Sequence, residues 1–173
     1  MDPALPKTFS VTRVSPTIPE LDFMHDWCKE NMQDNANILE FGAGPTTWAI
    51  ATAITPNRYI CMEHWVPSIT DVIDHLEDIE IIKTNWYAIP DDIKYDLVFV
   101  DSSAGYPPGD DGLHRHEACE FSSRLLADGG HIMIHDWRKR SGARSRVWLE
   151  ANGFECVASF NGRTGVGVFK RCS

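Results

Sequence analysis

From Ala36 onward the chain alternates short apolar runs with longer amphipathic segments, and this alternation restricts the fold more than any other feature. Near-continuous apolar runs are typical of strands that helices cover on both faces. Strands and helices that alternate along a chain form a doubly wound parallel sheet. The sequence therefore predicts an α/β fold.

Seven segments have strand character. They are ANILEFG, NRYICMEH, IEIIKT, YDLVFVDSS, HIMIHDW, FECVASF and GVGVFKR. Asn161 and Gly162 lie between the last two segments, and an Asn-Gly pair is typical of a hairpin turn. A hairpin there makes the last strand antiparallel. We predict a mostly parallel, seven-stranded, Rossmann-like sheet with an antiparallel last strand.

Helix signals separate the strands. Thr17 and Glu20 have the spacing of a capping box, which predicts a helix over about 19–33. Further helices are predicted over TTWAIATAI, PSITDVIDHLE, LHRHEACEFSSRLLADGG and SRVWLEANG. Gly129 and Gly153 are expected to end the last two. Residues 1–16 are interpreted as an N-terminal arm, and 17–173 as a single domain.

The net charge restricts the expected partners, and the cysteine content restricts the expected cellular compartment. The formal net charge of -9 argues against bulk nucleic acid, which basic clusters normally bind. One basic segment, WRKRSGARSR, leaves a local anionic contact open. The five cysteines include no CxxC pair, and no signal peptide or membrane span is seen. We expect a cytoplasmic protein with reduced thiols.

Polar residues gather where the predicted strands end, and ligands of such sheets bind at those ends. The first strand ends in EFGAGPTT, in which Gly42 and Gly44 allow the backbone to approach a ligand closely. Thr46 or Thr47 can cap the next helix. Glu63 ends the second strand, where a carboxylate can accept hydrogen bonds from both ribose hydroxyls.

The third and fourth strand ends extend this predicted nucleoside site. Asn85 is placed to hydrogen-bond a base edge, and Trp86 either packs on the base or belongs to the core. Asp101 ends the fourth strand.

The acid Glu40 helps to choose between two cofactor classes. A dinucleotide needs a third glycine where Thr47 stands, and Glu40 would repel its pyrophosphate. The amine of S-adenosylmethionine would instead be attracted. The alternative for Glu40 is a purely structural role in capping a neighbouring helix.

The ordered set of strand-end signals resembles class I S-adenosylmethionine-dependent methyltransferases, in particular a subgroup of small members. The motifs that carry the resemblance are LEFGAGPTT, Glu63, the NW pair, DLVFVDSS, LLADGGHIMIHDW and the antiparallel last strand. It spans roughly Ile38 to Arg171. The resemblance implies methyl transfer to a small or polar acceptor, with oxygen as the expected acceptor atom.

The resemblance also implies roles for individual residues. The implied cofactor-binding residues are Glu40, Phe41, Gly42, Gly44, Thr46, Thr47, Glu63, His64, Asn85, Trp86 and Asp101. Catalytic roles fall to Asp101, His135 and Asp136, which lie near strand ends and suit a general base. Substrate contacts are expected from Ser102, His114, Arg115 and Trp137.

A divalent metal and two rival functions are each compatible with part of this pattern. Asp101 and Asp136 could hold Mg²⁺ or Ca²⁺, but Trp137 stands where metal-dependent relatives have an amide, so no metal is expected. One rival function is a non-catalytic protein that binds S-adenosylmethionine or S-adenosylhomocysteine. The other is an NAD-dependent oxidoreductase.

Overall fold

The computed structural model describes residues 16–62, 76, 79–82, 89–101 and 113–172. Within these ranges four helices are found, namely α1 (Ile18–Asn31), α2 (Pro45–Ala53), α3 (Leu113–Ser123) and α4 (Arg140–Ala151). The strands are β1 (Asn37–Phe41), β2 (Arg58–Met62), β3 (Ile79–Ile82), β4 (Tyr95–Val100), β5 (Leu126–His135), β6 (Phe154–Phe160) and β7 (Val166–Arg171). The predicted PSITDVIDHLE helix and the predicted arm fall almost wholly outside the described residues.

The seven strands form one sheet in the order β3-β2-β1-β4-β5-β7-β6. Neighbouring pairs from β3 to β5 are parallel. Strand β7 is antiparallel to both β5 and β6. The predicted doubly wound sheet with an antiparallel last strand is therefore confirmed, and residues 161–165 make the connection between β6 and β7.

One predicted helix end is wrong. The third described helix was expected to continue to Gly129, but α3 ends at Ser123 and β5 already begins at Leu126. Leu126 pairs with Tyr95 of β4, and the register then shifts before Leu97 pairs with His131. Sheet pairing overrides the helical pattern here, and Gly129 adopts its positive φ of 79° within the strand.

Side chains alternate between two apolar layers, one on each face of the sheet. Leu39 packs with Ala118 of α3 and Leu149 of α4 in one layer. Ile38 packs with Met24 of α1 and Ile50 of α2 in the other. No helix within the described ranges is both long and apolar enough to span a bilayer.

The same alternation decides where two polar residues lie. Glu40 follows Ile38 by two residues, and His135 follows Met133 by two, so both face the layer covered by α1 and α2. Neither side chain is exposed. Both therefore need hydrogen-bonding partners inside the protein.

Candidate functional site

The ends of β1 and β4 meet at the point where the strand order reverses direction. Asp101 N–H donates to the Phe41 carbonyl at 2.9 Å, and Gly42 N–H donates to the Met62 carbonyl at 2.9 Å. These bonds continue the parallel pairing past the strand ends. They bring the glycine turn beside Asp101, at the carboxyl edge where ligands of such sheets bind.

The turn after β1 is open at its tip. Gly42 has a φ of 97°, a conformation that favours glycine. Gly44 starts α2, and its N–H donates to Thr47 Oγ1 at 3.0 Å. A Cβ added to Gly44 would meet no atom of the described structure within 4 Å. The backbone at Gly44 therefore faces space that no described residue occupies and that a ligand can enter.

Glu40 has partners inside the protein. Its Oε1 accepts a hydrogen bond from Thr46 at 2.7 Å, and its Oε2 accepts one from Tyr59 at 2.7 Å. Cys61 Sγ also lies 3.5 Å from Oε2. Burial raises the pKa of Glu40 to about 7, although these donors oppose the rise. In this structure Glu40 ties the start of α2 to β2, and direct contact with a cofactor stays a prediction.

The glycine turn is supported by three buried residues, Phe41, Thr46 and Thr47. The Phe41 side chain belongs to the apolar layer under α3 and α4, and its carbonyl contacts Asp101. Thr46 and Thr47 are buried, and their hydroxyls bond to Glu40 and to the Gly44 N–H. Contact of Thr46 and Thr47 with a cofactor stays a prediction.

A buried group of charges joins the ends of β4 and β5. Arg115 of α3 donates from Nη2 to Asp101 Oδ1 at 2.8 Å, and its Nη1 lies 3.2 Å from Asp136 Oδ2. Nη1 also donates to the His135 carbonyl at 2.9 Å. His135 Nδ1 lies 3.0 Å from the same Oδ1 of Asp101. The three predicted catalytic residues are thus in one cluster, organised around Arg115.

The sequence resemblance predicts a substrate contact for Arg115. Its side chain is only 6% exposed, and both of its terminal nitrogens contact protein atoms. The described contacts give Arg115 a structural role between two carboxylates, and a substrate contact stays a prediction.

The turn at Asp136 holds an unusual backbone conformation. Asp136 has a φ of 58°, which costs a non-glycine residue about 1–3 kcal/mol. A Cβ on Gly142 would overlap the Asp136 carbonyl, so the first turn of α4 lies directly against this backbone. Lys139 Nζ is 3.0 Å from Asp136 Oδ1. The strain persists because both contacts and Arg115 hold Asp136 in place.

The charged side chains of this cluster shift the pKa values of His135 and Asp136. Burial by itself lowers the pKa of His135, but the Asp101 and Asp136 carboxylates outweigh burial and raise it. Burial would raise the pKa of Asp136, but Arg115, His135 and Lys139 lower it.

Asp101, His135 and Asp136 present donor atoms within 4.8 Å of one another, which a metal ion could bridge. The Arg115 guanidinium already contacts both carboxylates, at 2.8 and 3.2 Å. A divalent ion would bring two further positive charges beside Arg115. The donor set is therefore suited to arginine rather than to a metal, and the expectation of a metal-free site stays a prediction.

Two residues at the site were missed by sequence reasoning. Thr164 Oγ1 lies 2.8 Å from His135 Nε2, and Glu20 Oε1 lies 3.1 Å from Thr164 Oγ1. Glu20 was recognised only as a capping residue, and its Oε2 does accept the Thr17 N–H at 2.7 Å. Its second oxygen reaches the β6–β7 connection, which no sequence spacing indicates.

Trp137 packs over β7. Its indole lies against Gly165 and Gly167, where an added Cβ would overlap or crowd the ring. Arg146 stacks above it, 5.6 Å from the ring centre. A substrate contact from Trp137 stays a prediction.

Several predicted residues cannot be placed. Glu63, His64, Asn85, Trp86 and Ser102 lie outside the described residues. His114 belongs to α3, but its side chain is not among those described.

Comparison with known proteins identifies the fold. No family model and no curated protein sequence matches the chain. A precorrin-6y C5,15-methyltransferase from Geobacter metallireducens GS-15 aligns with a TM-score of 0.73 at 16% identity, over 98% of this chain and 96% of that one.

Two further solved structures have S-adenosylhomocysteine or S-adenosylmethionine bound. The N-methyltransferase NodS from Bradyrhizobium japonicum WM9, in complex with S-adenosylhomocysteine, aligns with a TM-score of 0.66 at 16% identity, over 90% of this chain and 87% of that one. The O-methyltransferase TomG from Streptomyces achromogenes, in complex with S-adenosylmethionine, aligns with a TM-score of 0.66 at 15% identity, over 92% and 82%. At these identities the likeness shows that the chain has the class I methyltransferase fold.

Proposed function

We propose that this protein is an S-adenosylmethionine-dependent methyltransferase that acts on an oxygen atom of a small or polar acceptor. The observation that carries the proposal is the open glycine turn at Gly44, beside Asp101 and at the switch point of the sheet. Ligands of such sheets bind at this point.

The charges at this edge favour a cofactor that carries an amine and no phosphate. Asp101 and Asp136 lie at the ends of β4 and β5, and Glu40 lies below the turn. Arg115, His135 and Lys139 offset most of this charge, so repulsion of a pyrophosphate would come from the carboxylate oxygen of Asp101 that has no described partner beside the turn. The described contacts of the Asp101 carboxylate both end on Oδ1, at Arg115 and His135. Its Oδ2 is therefore the atom that we assign to the cofactor amine or to the acceptor.

The structural neighbours support the cofactor assignment. TomG is described in complex with S-adenosylmethionine and NodS in complex with S-adenosylhomocysteine. The neighbours include both O- and N-methyltransferases, so oxygen as the acceptor atom rests on the sequence resemblance.

The chain's own residues would contribute mainly by positioning. The cofactor, when bound, supplies an electrophilic methyl group on a sulfonium. The turn from Gly42 to Gly44 would hold its amino-acid end, and Asp101 would orient either the amine or the acceptor hydroxyl. Correct alignment of two reactants can contribute about 7–11 kcal/mol in ideal cases.

A substitution at Gly44 tests this proposal with little effect on the fold. Gly44 is extended, with a φ of 174°, and an added side chain meets no described atom within 4 Å. We expect Gly44→Val to fold with a thermal midpoint lowered by only about 2–4 °C, because Gly44 is the N-cap of α2 and valine is a poorer N-cap than glycine. Its side chain would enter the space assigned to the cofactor, so affinity for S-adenosylhomocysteine should fall at least tenfold.

Calorimetry with S-adenosylmethionine, S-adenosylhomocysteine and NADH gives the readout. Gly153→Ala is the control, since Gly153 also faces free space but has a φ of 79° and follows α4, away from the site. It should lose some stability and keep full affinity. Equal affinity in Gly44→Val and wild type would refute the site. Wild-type binding without methyl transfer to a panel of hydroxyl acceptors would favour the non-catalytic alternative.

A further inference from the structure

A chain of buried polar contacts leads from α1 to the candidate site. Glu20 Oε1 is 3.1 Å from Thr164 Oγ1, which is 2.8 Å from His135 Nε2. His135 Nδ1 is 3.0 Å from Asp101 Oδ1. Glu20 and His135 are both 0% exposed, and Thr164 is 2% exposed. Both nitrogens of the His135 ring are therefore engaged with protein atoms.

The hydrogen-bond donors and acceptors along this chain determine the protonation state of His135. The Thr164 N–H and the Gly165 N–H donate to Glu20 Oε1 at 3.0 and 2.8 Å. Burial would raise the pKa of Glu20, but these bonds and those from Thr17 lower it to about 2. Glu20 is therefore an acceptor only, and the single hydroxyl proton of Thr164 is directed to it. His135 Nε2 must then donate to Thr164 Oγ1.

The arrangement in which the Thr164 hydroxyl donates to His135 Nε2 is unfavourable. A neutral His135 with a bare Nε2 would take the Thr164 proton. The oxygens of Thr164 and Glu20, 3.1 Å apart, would then face each other without a proton between them. A neutral ring protonated at Nε2 alone would keep those contacts, but its bare Nδ1 would face the Asp101 carboxylate at 3.0 Å. The doubly protonated ring therefore satisfies every contact in the chain.

The surrounding charges agree with an imidazolium. The ionisable groups within 4 Å of the ring, or in direct contact with those groups, come from α1, α3, β4 and the β5–α4 turn. They are Glu20, Asp101, Asp136, Arg115 and Lys139. Of these described groups three are anionic and two are cationic, so a positive His135 makes the described part of the cluster neutral. A neutral His135 would leave one buried negative charge uncompensated, which is costly.

We infer that His135 is a positioning residue: an imidazolium, held by the Thr164–Glu20 pair, that fixes Oδ1 of Asp101 and leaves Oδ2 for the ligand. The ligand part of this inference rests on the proposed function. The same inference predicts that Thr164 affects ligand binding, although Thr164 has no described contact with Asp101.

Two variants at Thr164 separate this role from general packing. Thr164→Val keeps the volume and the backbone bond to Glu20 but removes the hydroxyl between Glu20 and His135. Thr164→Ser keeps the hydroxyl. Loss of one such hydrogen bond corresponds to roughly a three- to tenfold change in affinity. We expect that loss for S-adenosylhomocysteine in Thr164→Val and a value within about twofold of wild type in Thr164→Ser.

The state of the ring is read by nitrogen NMR of the histidine side chains against pH. In wild type near pH 7, His135 should show two protonated ring nitrogens. Its titration midpoint should fall in Thr164→Val and return in Thr164→Ser. His25, which pairs with Asp26 away from this cluster, is the internal reference.

The outcomes are distinct. A singly protonated His135 in wild type at pH 7 would overturn the inference, and that measurement needs no variant to fold. Unchanged ligand affinity in a folded Thr164→Val would overturn the positioning role while leaving the proposed function intact. Wild type that binds neither cofactor form would refute the proposed function and the positioning role together, whatever the state of the ring.

Discussion

Replacement of Arg115 by alanine should be among the most damaging single substitutions in this chain. The Arg115 side chain is 6% exposed, and its partners Asp101 and Asp136 are 16% and 10% exposed. Removing one partner of a buried ion pair costs about 3–5 kcal/mol, because the remaining charges are left without compensation. Asp101 and Asp136 both lose this partner but keep their contacts with His135 and Lys139, so we expect a loss at the lower end of that range, about 3 kcal/mol, for Arg115→Ala.

Urea unfolding measures this loss, and Arg58→Ala is the matched control. Arg58 also contacts a carboxylate, Glu80, at 2.7 Å, but the two side chains are 38% and 49% exposed. Exposed pairs contribute about 0.2–1 kcal/mol. A loss in Arg115→Ala no greater than in Arg58→Ala would refute the view that the cluster depends on Arg115.

The same variant tests the argument about metals. Without Arg115, the donor atoms of Asp101, His135 and Asp136 remain within reach of one ion. We expect Mn²⁺ to stabilise Arg115→Ala, by about 2.7 kcal/mol at a hundredfold excess over its Kd. Wild type should not respond. Equal stabilisation of both proteins would show that Arg115 does not take the place of a metal.

Two further predictions concern carboxylates. The pKa of Glu40 is about 7 in the folded protein against 4.5 for the free side chain, so only the unfolded state loses this proton between those values. Glu40 should therefore contribute a fall of about 3 kcal/mol in wild-type stability as pH rises from 4.5 to 7, and urea unfolding of Glu40→Gln across pH should lack that contribution relative to wild type; an unchanged slope would contradict the assignment. For Asp101→Ala we expect turnover to drop by about 10²-fold or more if Asp101 acts as a base, and full turnover in a folded variant would remove Asp101 from the site.

Much of the fold followed from local patterns. Apolar runs with helical segments between them predicted the doubly wound sheet, because a strand covered on both faces needs apolar residues throughout. The Asn161-Gly162 pair predicted the antiparallel last strand, because a tight hairpin turn reverses the direction of the chain. The end of α3 was wrong because pairing of Leu126 with Tyr95 depends on β4, far away in sequence.

The sequence by itself also predicted which edge of the sheet holds the candidate site, since Gly42, Gly44 and Asp101 each follow a predicted strand. Only the tertiary structure decided how the charges are arranged. Glu40 faces inward because the strand alternates its side chains beneath α1 and α2. Glu20 meets Thr164 across 144 positions of sequence. Such contacts arise from the packing of elements that are distant in the chain, and no local spacing encodes them.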